Sequence, residues 1–296
     1  MDKSRVSVLW FRQDLRIADN PALIEACKDG SIVPIYILDD KSAGDWKYGA
    51  ASRWFLFEAL TDLNKLLDNQ LLFFEGDASE VLIDIVKEVG AESVYWNRCY
   101  EPWAIERDSR IKKSLKALNI SVQSFNSSLL WEPWAVLKKD GTPYKVFTPF
   151  YRKGCLVSSA PRMPLEIPSN INCVAFEGSK SLSELGLRPK NNWYKKFENI
   201  WDVSSDGVAA KLRGFLDEGL DVYREGRNFP SKKYVSALSP YLRFGMISPN
   251  MVWYAAISEK TLKSEDRNLD TFLSELGWRE FSYYLLYHFP QLPSQN

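Results

Sequence analysis

The sequence predicts an α/β, doubly wound parallel-sheet domain over residues 1–130 and a partial all-α domain over residues 196–296, joined by a linker at 131–195. Three observations carry this. Up to about Phe125, short runs that are apolar at nearly every position alternate with longer helical patterns, as in a parallel sheet covered on both faces. The Pro-rich stretch CLVSSAPRMPLEIPSNINCVAFEGSKSLSELGLRPKNN (155–192) is long for a loop inside one compact domain, so it reads as a connection laid over the surface. From about Trp193 onward the strand pattern is gone and helical spacing takes over.

The predicted strands are VSVLWF (6–11), IVPIYIL (32–38), LLFFEGD (71–77), SVYWNR (93–98) and SVQSFN (121–126). Between the second and third, SRWFLFEALTDLNKLLDN (52–69) spaces Phe55, Leu56, Leu60, Leu63, Leu66 and Leu67 as one helix face. Strands separated by such helices make a doubly wound sheet. In the second half, segments 206–228, 236–245, 248–260 and 268–289 read as helices, with Ser248-Pro249 as an N-cap and first-turn signal.

Several function classes are excluded. No run of 18 apolar residues occurs, and MDKSRVSVLWF lacks the zones of a signal peptide, so a cytoplasmic protein without membrane contact is expected. Cys27, Cys99, Cys155 and Cys173 are isolated and His288 is the single histidine, which argues against a metal or His-based centre and for reduced, packed thiols. Neither a G-x-G-x-x-G nor a G-x-x-x-x-G-K-[ST] is present, which disfavours NAD and ATP hydrolysis, and no G-x-S-x-G elbow exists. The first strand instead runs into FRQDLRIADNPAL, whose Asp14 and Arg16 are expected to pair charges structurally. Net charge is −4 before residue 131 and +4 after it, so a polyanion would dock on the second half. Eleven Trp residues point to a site for flat ligands.

Six segments, in order along essentially the whole chain, resemble the signatures of the DNA photolyase/cryptochrome family. They are VLWFRQDLRIADNPAL (8–23), WNRCYEPWAIERD (96–108), GTPYKVFTPFYR (141–152), VYREGRN (222–228), SALSPYLRFGMIS (236–248) and LSELGWREF (273–281). The likeness is to class I cyclobutane pyrimidine dimer photolyases. It implies an antenna-type α/β domain, an incomplete helical FAD-binding domain, and the activity of a deoxyribodipyrimidine photo-lyase, a carbon–carbon lyase. In that activity a lesion is flipped out of DNA, for which photolyases are a standard example. Excited, reduced FAD then donates an electron to the pyrimidine dimer, the ring opens, and the electron returns. No protein side chain acts as catalyst and no metal is needed.

The residues admit two readings at each place. SALSPYLRFG on its own is a helix start capped by Ser236 or Ser239. The resemblance implies that Ser236, Leu238, Ser239 and Tyr223 grip the FAD diphosphate, with Val235 where relatives usually carry Thr, so that one hydroxyl contact is lost. Glu275, Trp278 and Arg279 lie at i, i+3 and i+4 and share a helix face, which alone reads as a Glu–Arg pair beside a core tryptophan. The resemblance makes Arg279 a FAD contact, Glu275 a hydrogen-bond partner of the pyrimidine pair, and Trp278 and Phe272 the surfaces on which the lesion packs. Glu101 and Arg53 read equally as surface charges or, by resemblance, as contacts to an antenna, a folate (methenyltetrahydrofolate) or a deazaflavin.

Because the family's helical domain continues past this length, the chain is expected to be a C-terminally truncated form, with weak or absent FAD binding, no repair alone, and exposed apolar surface that favours self-association. The serine bend and the Glu275/Trp278/Arg279 face are expected to meet in one hollow. Cyclobutane and (6-4) lesions both stay open. Two other readings remain: a cryptochrome-type blue-light receptor, and a stand-alone α/β chromophore-binding module.

Overall fold

The computed structural model describes residues 5–260 and 267–295. Strands β1 (Val6–Phe11), β2 (Ser31–Leu38), β3 (Leu72–Glu75), β4 (Ser93–Asn97) and β5 (Ser121–Phe125) form one parallel sheet in the order β3-β2-β1-β4-β5. Helices α1 (Pro21–Asp29), α2 (Ala50–Leu66), α3 (Ala78–Val89) and α4 (Pro102–Ala117) connect them. Alternate side chains of each strand enter opposite cores. Val8 and Trp10 pack with Val33, Val94 and Trp96 beneath α3 and α4, whereas Leu9 and Phe11 pack with Tyr36, Leu23, Trp54 and Leu60. The strand order reverses between β1 and β4, the place where doubly wound sheets open a crevice at their carboxyl ends.

The turn after β1 is a buried polar knot. Asp14 accepts from Arg12 N (2.7 Å) and from Asn97 Nδ2 (2.5 Å). Arg16 donates to the carbonyl oxygens of Gly245 (2.7 Å), Asp19 (2.8 Å) and Ser127 (2.9 Å). The two residues are structural, but the link between them is backbone, Arg16 N donating to Asp14 O at 2.8 Å, and no ion pair joins their side chains. Each satisfies groups in this turn and in the chain packed on it that burial would otherwise leave unpaired.

The irregular connection is stitched to the sheet margin. Ile32 N donates to Asn172 O and Val174 N to Ile32 O, each at 2.8 Å, and Lys180 N donates to Phe73 O at 2.9 Å. Beyond it lie α5 (Ser205–Gly214), α6 (Ser239–Phe244), α7 (Pro249–Lys260) and α8 (Arg267–His288). Ser248 caps α7 through Met251 N at 3.0 Å, with Pro249 as its first residue, as the sequence predicts. The helix expected over 206–228 is broken instead. It passes through a π-turn at Phe215–Gly219 and a 3-10 turn at Leu220–Val222 before a last helical turn at Tyr223–Gly226, and Gly219 and Gly226 lie where a Cβ would meet Phe215 or Tyr234 at 2.7 Å. Tyr241, Phe244 and Trp253 join the same buried cluster as Trp54 and Phe55, so the helical half packs directly on α2. Among the described residues no helix is long and apolar enough to cross a membrane.

Candidate functional site

A cavity of about 620 Å³ opens at the carboxyl ends of β1, β2 and β4, at the topological switch point. Trp10, Tyr48, Glu101, Trp103 and Arg107 line it, and Arg243 of α6 and Leu286 of α8 close it from the helical half. The Arg107 guanidinium sits 4.7 Å from the Trp10 ring and 5.0 Å from that of Trp103, while ion-pairing Asp39 (3.5 Å) and Asp108 (3.0 Å). Glu101 opens α4 without making a capping hydrogen bond. Its carboxylate turns instead to Gln13 Nε2, at 2.9 Å. Burial pushes the Cys99 thiol up to about 12, so the cavity's sulfur is neutral.

Arg53 stands behind this wall rather than on it. Its Nε donates to Tyr48 O at 2.9 Å and its Nη2 pairs with Asp40, so it braces two residues that do line the cavity. Trp10, Trp103, Arg107 and Arg243 were not singled out from sequence. Their signal was the tryptophan count and their place in the segments VLWFRQDLRIADNPAL, WNRCYEPWAIERD and SALSPYLRFGMIS.

The face of α8 departs from its local spacing. Glu275 pairs with Arg227, not with Arg279. Arg279 Nη1 donates to Ser128 O at 2.7 Å and pairs with Glu280 at 3.0 Å, while its guanidinium lies 4.9 Å from the Tyr283 ring. Trp278 is 46% exposed, and its inner face stacks on Phe147 at 3.7 Å and 13°. Phe147 stacks in turn on Tyr151 at 5.5 Å. Gly277 admits that column, since a Cβ there would stand 2.6 Å from the Tyr151 ring. Phe272 is buried between Phe215 (4.7 Å) and Tyr223 (5.3 Å), as a core side chain rather than an open stacking surface.

Tyr223 belongs to the same aromatic cluster, and Leu238 is buried. Ala237 adopts a left-handed φ of 50°, so α6 begins only at Ser239 with Leu238 as its N-cap, and no side chain caps it. The hydroxyls of Ser236 and Ser239 therefore serve no capping role, and neither forms a hydrogen bond with another described residue. A second cavity, about 460 Å³, lies nearby between Asp221, Arg224, Phe229, Tyr234 and Arg267. Ser236, Ser239 and Trp278 line neither cavity, so the expected single hollow is not one of these two.

Glu280 ties α8 to the chain at Leu130 and Trp131, accepting from their backbone nitrogens at 2.7 and 3.4 Å. Burial outweighs these bonds and the Arg279 charge and pushes its carboxyl up to about 7. Because the folded value lies above the unfolded one, the group's contribution is full below pH 4.5 and is lost as pH rises through 7. Unfolding free energy should fall by up to about 3 kcal/mol across that window. Comparing urea unfolding of the wild type and Glu280→Gln at pH 5 and pH 8 checks this. The variant should lack that component of the slope, and parallel curves for the two proteins would refute it.

A model of the DNA photolyase family matches residues 7–168. The deoxyribodipyrimidine photo-lyase of Agrobacterium fabrum is 39% identical over 99% of this chain and 62% of its own length. Cryptochrome-2 of Arabidopsis thaliana is 32% identical over 100% of this chain and 50% of its own. A crystal structure of a bacterial class III photolyase from Agrobacterium tumefaciens superposes with a TM-score of 0.93 at 38% identity, covering 100% of this chain and 62% of that one. That neighbour is class III, whereas the motifs pointed to class I-like proteins. The chain thus spans about 62% of the photo-lyase it matches. With the family model covering more than half of its residues, the chain belongs to the DNA photolyase family.

Proposed function

We propose that this chain takes part in light-driven repair of pyrimidine dimers in DNA, with reduced FAD as electron donor and a flat antenna chromophore in the α/β cavity. The observation that carries the DNA reading is the Phe147–Trp278 stack, which presents one face of an indole to solvent beside the Glu275–Arg227 ion pair. A base lifted from the helix can lie on such a face, and stacking of about 1–3 kcal/mol per base offsets much of the cost of unstacking it. Arg227 and Glu275 then offer a donor and an acceptor at the edge of the same surface.

The unused hydroxyls of Ser236 and Ser239 fit a diphosphate, and buried Tyr223 and Leu238 would wall it. Arg279, with Nη1 committed to Ser128 and Glu280, would act there mainly through its charge. When bound and reduced, FAD would supply the electron that opens the dimer. In the α/β half, Trp103 is the half-buried indole of the wall, Trp10 lying buried beneath Arg12 and Arg107, and Glu101 Oε2 is buried without a hydrogen-bond partner, as befits a ligand contact. A folate or a deazaflavin would serve there as antenna.

Binding of a dimer-containing oligonucleotide against its undamaged counterpart tests the repair reading. Preference for the damaged strand is expected. Equal affinity would favour the cryptochrome-type receptor, a reading that the alignment of Cryptochrome-2 along the entire chain also supports.

A further inference from the structure

Two of the four thiols reach the surface, and they do so side by side. Cys99 and Cys155 are buried, whereas Cys27 and Cys173 are partly exposed and pack on the rim of one hydrophobic cluster. They come from distant parts of the chain. Cys27 lies in the last turn of α1, and Cys173 lies in the irregular connection that is stitched to the margin of β2. Ile32 N donates to Asn172 O and Val174 N to Ile32 O, so Cys173 stands beside Ile32 as its parallel bridge partner. Residues paired in this way lie about 5 Å apart and turn their side chains to the same face. Ile32 is wholly buried in the cluster that holds Ala22, Leu23 and Ala26 of α1, so Cys173 faces α1 as well. The two sulfurs also feel each other. Burial pushes the Cys173 thiol up to about 11, and the next cause is the Cys27 sulfur, ahead of Asp68. Burial likewise pushes the Cys27 thiol up to about 11.

We propose that Cys27 and Cys173 form a redox clasp, which a low-molecular-weight disulfide such as oxidised glutathione closes into an intramolecular disulfide that locks the connection between the two halves onto α1. One protein thiolate attacks a sulfur of the reagent and expels one glutathione thiolate. The second protein thiolate attacks the mixed disulfide and expels the other. Two protein thiols are thereby oxidised to one disulfide, the reagent is reduced to two thiols, and the two protons leave with them. The clasp reaches both halves because of what the connection holds. Its Pro161 and Arg162 carbonyls accept from Tyr254 OH and Asn250 Nδ2 of α7, and its Arg162 guanidinium pairs with Asp19 in the turn after β1. Thiols pushed to about 11 hold little thiolate near neutral pH, so closure is slow there and quickens about tenfold per pH unit.

Incubating the full chain with oxidised glutathione at pH 8.5, then mapping its peptides without reduction, tests the clasp. The expected product is a monomer in which the peptides carrying Cys27 and Cys173 are joined, and dithiothreitol should separate them. At pH 7.5 the same product should form about tenfold more slowly. Because the bond closes a loop of about half the chain, the oxidised protein should melt ~5–10 °C above the reduced one. Tryptic cleavage within 155–192 should slow several-fold. Cys27→Ser and Cys173→Ser should each lose the melting shift and carry one glutathione on the thiol that remains. The clasp is overturned if the wild type gains no such link, whether its thiols stay free or each carry a glutathione, if the link joins two chains, or if the melting shift survives in either variant. Should a serine variant fail to fold, the wild-type peptide map and its reversal by dithiothreitol decide alone.

Discussion

Gly245→Ala should lower the unfolding free energy by about 3 kcal/mol. Gly245 ends α6 with φ +69°, a conformation in which a Cβ is only mildly strained. The space decides the outcome. A Cβ there would stand 2.0 Å from Gln13 O and 2.6 Å from Asp14 Cα, both backbone atoms of the knotted turn after β1. Neither can swing aside, because Asp14 is held by Asn97 and Arg12. The overlap is relieved only if α6 lifts away, which breaks Leu15 N to Phe244 O (3.1 Å) and Arg16 to Gly245 O (2.7 Å). Gly186→Ala is the control. Its φ of +61° is similar, but a Cβ there meets nothing within 4 Å, so a cost of about 1 kcal/mol is expected. Denaturant unfolding of the three proteins separates overlap from backbone strain. If the two variants agree within about 1 kcal/mol, α6 is not close-packed on the turn. Because Arg243 sits two residues before Gly245, the same lift should withdraw it from the cavity.

The sheet was legible because parallel strands buried on both faces leave nearly continuous apolar runs, and all five predicted strands appear within about two residues of their expected ends. Tertiary partners were not. The reading of Glu275 with Arg279 weighed only neighbours on one helix, whereas Arg227, 48 residues earlier, lies across the Glu275 carboxylate. The column under Trp278 escaped notice for the same reason, since Phe147 and Tyr151 come from the segment between the two halves. Capping rules named Ser236 or Ser239, but the left-handed Ala237 moves the cap to Leu238 and frees both hydroxyls. Over 206–228 apolar spacing shows one helix but neither the π-turn at Phe215–Gly219 nor the close contacts at Gly219 and Gly226, which come from the partners Phe215 and Tyr234. Phe272 shows the converse. The resemblance makes it a flat surface for the lesion, whereas burial against Phe215 places it in the core.

Trp278→Ala should weaken binding to a dimer-containing oligonucleotide by about 10- to 100-fold while changing affinity for undamaged duplex by less than about threefold. The separation follows from what each ligand touches. Undamaged duplex is held chiefly through phosphates, which an indole does not contact, whereas an extruded dimer gains its affinity from stacking. Stability should hardly move, since Trp278 is 46% exposed and its removal leaves Phe147 still stacked on Tyr151. Phe147→Ala makes a different demand. The indole remains, but the ring that fixes its plane at 3.7 Å is gone, so the dimer should bind with intermediate affinity. Fluorescence anisotropy with both oligonucleotides, alongside unfolding curves, distinguishes the cases. A loss of dimer binding without a loss of stability, graded from Phe147→Ala to Trp278→Ala, identifies the indole as the platform and the phenyl ring as its support. Were both variants to bind damaged DNA as the wild type does, the exposed indole would have to serve a protein contact, and the DNA reading of α8 would lose its carrying observation.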